Sequence, residues 1–197
     1  MSAPHPIALH PEAVPDEPLD VRWVVPPGTL SFAGGVLRAP AALQQLITDG
    51  VLSTVVVEPD SIRTRLGAGR SWRAEGALVR DAVSAAAADP TGWTPAAGGT
   101  GDALLRAVVE QVLAGEVGDY VRSHGGALEL VSVEEGRVGM RFSGTCAHCP
   151  ASDFTLTGRF EAAVRSRYPD LAGIDTVRTP ASDTGARFIG IPLLRRR

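Results

Sequence analysis

The stretch LELVSVEEGRVGMRFSGTCAHCP, residues Leu128 to Pro150, decides the fold of the C-terminal half. Leu128 to Val133 is rich in apolar and β-branched residues and reads as a strand, with a turn at Glu134-Glu135-Gly136. Val138, Met140 and Phe142 then alternate with Arg137, Gly139 and Arg141, the period of a strand with one wet face. Together they form an antiparallel hairpin. It runs into Gly144-Thr-Cys-Ala-His-Cys-Pro150, and Pro150 opens a helix, because its fixed φ and missing N–H suit the first helical position. Phe160, Ala163, Val164 and the aliphatic part of Arg167 give that helix its apolar face to about Tyr168, and Pro169 ends it.

Upstream, Leu104, Leu105, Val108, Val109, Val112, Leu113, Val117 and Val121 recur at three- and four-residue spacing, which predicts one helix of about five turns. Gly125-Gly126 after His124 stops it. Downstream, Gly173 to Arg178 is a further strand and Phe188 to Ile191 an edge piece. Residues 102–197 therefore read as an αββαβ domain. Residues 90–101, within Asp89-Pro-Thr-Gly-Trp-Thr-Pro-Ala-Ala-Gly-Gly-Thr-Gly101, are a Gly/Pro-rich linker on which Trp93 can still dock.

Residues 19–89 read as a smaller domain of order ββαββα. Its strands are Val21–Val25, Ser31–Arg38, Leu52–Val57 and Ile62–Leu66. Pro40 opens a helix with Leu43, Leu46 and Ile47 inward, and Gly50 ends it. Ser71 caps a second helix with Trp72, Leu78, Val79, Ala82 and Val83 inward. Residues 1–18 hold five prolines and read as a disordered tail, in which His5 and His10 are too loosely tethered to form a metal site. The expected class is α+β, two small domains on a linker.

Composition narrows the function. All nineteen basic residues of the 197 are arginine, so Schiff-base and other lysine chemistry is excluded. Seven arginines face ten carboxylates in residues 1–100 and twelve face twelve in 101–197, so no basic domain points to nucleic acid. The longest uncharged stretch, Trp23 to Leu37, is broken by Pro26-Pro27 and glycines, whereas a membrane helix needs about 20 apolar residues. The proline-rich start lacks the apolar core of a signal peptide, so a cytoplasmic location is expected, where thiols stay reduced. No phosphate-cradling glycine loop, no Ser–His–Asp cue and no His-x-x-x-His pair is present, and Gly98-Gly-Thr-Gly101 lacks the strand and lysine of a P-loop. The chain reads as something other than an enzyme.

What remains is the pair Cys146 and Cys149, the two cysteines of the chain. With Pro150 at the first helical position, Cys149 sits at the expected N-cap, where the helix dipole and unpaired N–H groups favour thiolate below its usual pKa of about 8.5. Thiolate binds soft metals and also attacks disulfides, and spacing alone does not separate the two. A tetrahedral zinc or a cubane cluster wants about four ligands. Two copies about a twofold axis would supply them, an arrangement suited to a cluster that is handed on.

Tyr120-Val-Arg-Ser-His-Gly-Gly-Ala-Leu-Glu-Leu-Val-Ser-Val133 and Arg141-Phe-Ser-Gly-Thr-Cys-Ala-His-Cys-Pro-Ala-Ser152, with Thr155-Leu156, Glu161 and Tyr168-Pro-Asp-Leu-Ala-Gly-Ile174, closely resemble the C-terminal domain of NifU-like (Nfu) iron–sulfur cluster scaffold proteins, over about residues 102–180. The resemblance implies that Cys146 and Cys149 ligate a cluster, commonly a [4Fe–4S] centre bridging two subunits, with a [2Fe–2S] centre as the alternative. It implies a homodimer that passes the cluster to apo iron–sulfur proteins. Ala127 departs from the pattern, standing where the family usually has an acidic residue. Leu46-Ile-Thr-Asp-Gly-Val-Leu-Ser-Thr-Val55 and Pro59-Asp60-Ser-Ile62 are similar, more weakly, to the domain that precedes it in many of these proteins, although its Asn- and Pro-rich opening motif is missing.

The alternatives are a thioredoxin-like thiol–disulfide oxidoreductase, with Thr179-Pro180 as its proline loop, and a static zinc module. An antiparallel hairpin before the motif argues against the first. His148 reads as an exposed spacer, His124 as a helix cap, Arg137 and Arg141 as solvent-side charges, and Arg195-Arg196-Arg197 as a solvated tail.

Overall fold

Strand-forming runs and helical stripes sort into two sheets, each with helices on one face. The computed structural model describes residues 7–144 and 150–178. The first sheet contains β1 (His10–Ala13), β2 (Asp20–Val24), β3 (Gly34–Arg38), β4 (Leu52–Glu58), β5 (Ser61–Leu66) and β6 (Thr94–Pro95), in spatial order β1-β2-β5-β4-β3-β6. All its pairs are antiparallel. Helices α1 (Ala41–Thr48) and α2 (Trp72–Ala87) place Leu43, Leu46, Val79, Val83 and Ala86 in one core with Trp23, Val55, Val57, Ile62 and Leu66 of the strands. Each buried Leu, Ile or Val among them contributes about 1.5–3 kcal/mol. The Trp23 indole N–H donates to the Thr64 hydroxyl at 2.8 Å, so neither buried polar atom is left unpaired.

Several expectations need correction here. The supposed disordered tail contains β1, which pairs with β2 from His10 opposite Val24 to Ala13 opposite Val21. Pairing with a neighbouring strand outweighs a proline-rich composition at an edge, where Pro11 costs little. The supposed linker supplies β6 against β3, with Ala96 N–H donating to Gly35 O at 2.9 Å and Trp93 buried in the first core. The second strand begins at Gly34 rather than Ser31. Pro40 is the N-cap of α1 and not its first residue. Ser71 stands at the N-cap of α2, but its hydroxyl makes no capping bond. Leu78 points outward at 52% exposure, its place in the stripe being taken by Ala86 and Ala87.

The second sheet holds β7 (Gly126–Glu134), β8 (Arg137–Gly144) and β9 (Gly173–Arg178) in that order. β7 and β8 are antiparallel, whereas β8 and β9 run parallel, joined through α5 (Pro150–Arg165). The mixed α+β class expected from the sequence is the class observed. Met140, Val138 and Phe142 of β8 face a core shared with Leu156, Phe160 and Val164 of α5 and with Leu105, Val108 and Val109 of α3 (Gly101–Ala114). On β7, Leu130 lies opposite Met140 and Ser132 opposite Gly139, leaving Val131 as an extra, exposed residue. This bulge moves the inward positions from Leu128 and Leu130 to Val133, so the core does not receive Ser132 and Glu134.

The single five-turn helix is also corrected. It breaks at Gly115, whose ψ of −157° leaves the helical region, and a separate helix α4 (Glu116–Ser123) follows. The break costs the Leu113 carbonyl its helical partner, and Arg122 donates to it at 3.2 Å instead. Gly118 lets α4 fold back over that same carbonyl. The hydrophobic stripe runs through the break because Val121 is buried in the same core. That continuity is why spacing alone conceals it.

The hairpin turn is a two-residue type, with Glu134 opposite Arg137 and positive φ at both Glu135 (51°) and Gly136 (74°). Glu135 is ill suited to that backbone, and Asp102 in the first turn of α3 compensates. Its carboxylate accepts from Glu135 N at 3.0 Å and Gly136 N at 2.9 Å. Asp102→Ala is expected to cost about 1–2 kcal/mol, read as a lower urea midpoint at unchanged slope. An unchanged midpoint would remove the clasp from this account.

Phe188–Ile191, His5, Thr179-Pro180 and Arg195-Arg196-Arg197 lie outside the described residues. No helix among the described residues is long and apolar enough to cross a membrane.

Candidate functional site

The corner expected to carry the chemistry is built by three elements. α4 ends at His124, its C-cap, and Gly125 takes φ 71°, a left-handed turn that suits glycine. The chain re-enters at Gly126, which pairs with Gly144, so the helix stop and the last residue of β8 face each other. α5 begins at Pro150. Residues 145–149, which include Cys146, His148 and Cys149, lie outside the described residues. Their two ends, Gly144 and Pro150, are tied to the sheet and to α5.

α4 and α5 meet beside this corner. The Tyr120 ring is 4.6 Å from the His124 ring in an edge-on contact, and the Arg159 guanidinium of α5 lies 5.3 Å from the Tyr120 centroid on its face. A cavity of about 400 Å³ is lined by Glu116, Val117, Tyr120, Leu156 and Arg159. Spacing and composition give Arg159 no role, and Tyr120 enters the sequence argument only as the start of the family-like stretch. The four-residue spacing of Tyr120 and His124 was available as a signal, but the approach of Arg159 depends on how α4 and α5 pack.

The open sheet face is polar, as expected of Arg137 and Arg141. Arg141 pairs with Glu129 at 2.8 Å and Arg137 with Asp175 at 2.8 Å. The hydrogen bond from Arg137 holds the Asp175 carboxyl below its usual range. That contribution is therefore present above the ordinary carboxylate range and is lost as acid takes the pH below it. Among the described residues no three His, Cys, Asp or Glu side chains converge as a metal site.

The family comparison gives this geometry its context. A family model described as the NifU-like domain matches from Val109 in α3 to Asp175 in β9. Residues 109–175 are thus similar to a NifU-like domain. The matched range contains both cysteines, the paired glycines and the α4–α5 contact, and leaves the six-stranded sheet outside it.

Relatives agree. A Fe/S biogenesis protein NfuA of Ectopseudomonas mendocina is 36% identical over 88 residues, 44% of this chain and 45% of the relative. Its counterpart in Azotobacter vinelandii is 38% identical over 74 residues, 37% of this chain and 38% of the relative. NifU-like protein 1, chloroplastic, of Arabidopsis thaliana is 34% identical over 55 residues, 28% of this chain and 24% of the relative. The chain thus spans less than half the length of each of these relatives.

Proposed function

We propose that this chain takes part in iron–sulfur cluster biogenesis as a carrier rather than as an enzyme. Cys146 and Cys149 of two copies would hold one [4Fe–4S] cluster, or a [2Fe–2S] cluster in the alternative, and deliver it to apo iron–sulfur proteins. The observation that carries the reading is the NifU-like domain spanning both cysteines, together with relatives named for Fe/S biogenesis.

Physical argument supports the stoichiometry. Two thiolates leave a cubane half ligated, so a twofold partner completes the set. Delivery proceeds by ligand exchange. An acceptor thiolate forms an Fe–S bond as one carrier Fe–S bond breaks, and the released carrier thiolate takes a proton from solvent. The oxidation states of iron and sulfide are unchanged. A reducing cytoplasm keeps the free thiols available between deliveries. The hairpin of β7 and β8 leads antiparallel into the motif, which supports the carrier reading over a thioredoxin-like one.

Anaerobic reconstitution of the full chain with iron and sulfide tests this reading. A broad visible absorption band with about four irons and four sulfides per dimer is expected for the cubane. Stoichiometric zinc without sulfide would overturn it, as would a colourless monomer that reduces disulfides catalytically.

A further inference from the structure

Nine arginines among the described residues hold a carboxylate partner: Arg22, Arg63, Arg65, Arg70 and Arg80 near the first sheet, and Arg122, Arg137, Arg141 and Arg165 near the second. Arg159, like Arg38, Arg73, Arg106 and Arg167, has no such partner among the described residues; it is exposed and lies in the wall of the α4–α5 cavity, against Tyr120. Its guanidinium is held over the Tyr120 ring. A guanidinium held over an aromatic face is restrained in place while keeping N–H donors for a planar acceptor. Tyr120 is itself 45% exposed, one of four large apolar side chains left that far in solvent among the described residues.

We propose that the α4–α5 groove is a docking site for a carboxylate-bearing segment of the protein that receives the cluster. This rests on the carrier reading above. The Arg159 fork takes the carboxylate, and an apolar neighbour on the same segment covers Val117 and the exposed side of Tyr120. Charge complementarity fixes both the occupant and its direction. Arg159 and Tyr120 mark one end of the groove, while Glu116, one turn earlier on α4 than Tyr120, lines it as well and repels a second carboxylate. The docked segment is thereby led toward the His124 turn, where α4 hands over to the sheet beside the start of α5. An acidic acceptor is drawn in by the cation and oriented by the anion.

The test measures binding and loading separately on the full chain. A fluorescently labelled apo-ferredoxin, an acidic acceptor with cysteine ligands, is titrated with the unloaded protein at low ionic strength and followed by anisotropy. Arg159→Glu is expected to weaken binding roughly five- to tenfold, and the difference should shrink as salt is raised. Arg159→Lys keeps the charge without the fork and should fall between the two. Glu116→Gln should tighten binding about twofold, and it tests the groove independently if Arg159→Glu compromises folding.

Binding within twofold of wild type for Arg159→Glu would overturn the proposal. So would a defect in dimer formation with acceptor binding unchanged, because the groove would then serve a second copy of the chain. Iron and sulfide content of the same proteins after reconstitution reports the carrier reading on its own. Arg159-dependent binding by a chain that never loads would sink the carrier and leave the groove standing.

Discussion

Cys146→Ser or Cys149→Ser, each alone, is expected to abolish cluster retention after anaerobic reconstitution, with bound iron and sulfide falling by more than roughly tenfold. A serine hydroxyl stays protonated at neutral pH, and its oxygen is a hard donor where iron–sulfur clusters select soft thiolates. In the proposed twofold site symmetry would amplify the loss, because one substitution per chain removes two of the four ligands. The fold should not follow. α5 keeps Leu156, Phe160 and Val164 as buried anchors, and β8 keeps Val138, Met140 and Phe142. The unfolding midpoint of the unloaded protein is expected to stay within about 2 °C of wild type. A serine variant that holds a full cluster would end the assignment of these two residues.

Gly118→Ala should have the largest effect on stability. A Cβ at this position would collide with the Leu113 carbonyl oxygen and lie 2.8 Å from its carbon. Both are backbone atoms, so no side-chain rotation relieves the clash. α4 would have to lift from the end of α3, drawing Val121 out of the core and breaking the bond from Arg122 to Leu113 O. The expected cost is about 3 kcal/mol, which corresponds to a midpoint lower by roughly 6–12 °C in a chain of this size.

Gly158→Ala provides the contrast. It sits in the middle of α5 with nothing within 4 Å of the added methyl, so helix propensity alone acts and the change should stabilise by up to about 1 kcal/mol. Opposite signs for one chemical change would separate contact from propensity. Equal effects would refute the tight crossing at Gly118.

The hairpin and the helix after it were legible because period-two alternation and a proline at a helix start are local signals. Val138, Met140 and Phe142 all point inward as their spacing required. The break at Gly115 was not legible, since Val117 and Val121 continue the apolar spacing on its far side. Strand β1 and the pairing of Thr94-Pro95 with β3 were hidden for another reason. Short edge strands draw their stability from the neighbour they join, and Pro-rich composition says nothing about that neighbour. At the site, the two cysteines were visible as a motif. The Tyr120–Arg159 contact joins two helices some forty residues apart in the chain, and it exists only once both have packed on the sheet.

The extra residue at Val131 has a consequence for how molecules meet. Among the described strands, β7 borders the three-stranded sheet with no neighbour on its outer side. A straight border of that kind invites copies to zip together along their backbones into ribbons. The kink at Val131 spoils the straightness, and the exposed charge of Glu134 at the end of the strand repels a like partner. Growth of copies into a continuous ribbon along that border is thereby discouraged.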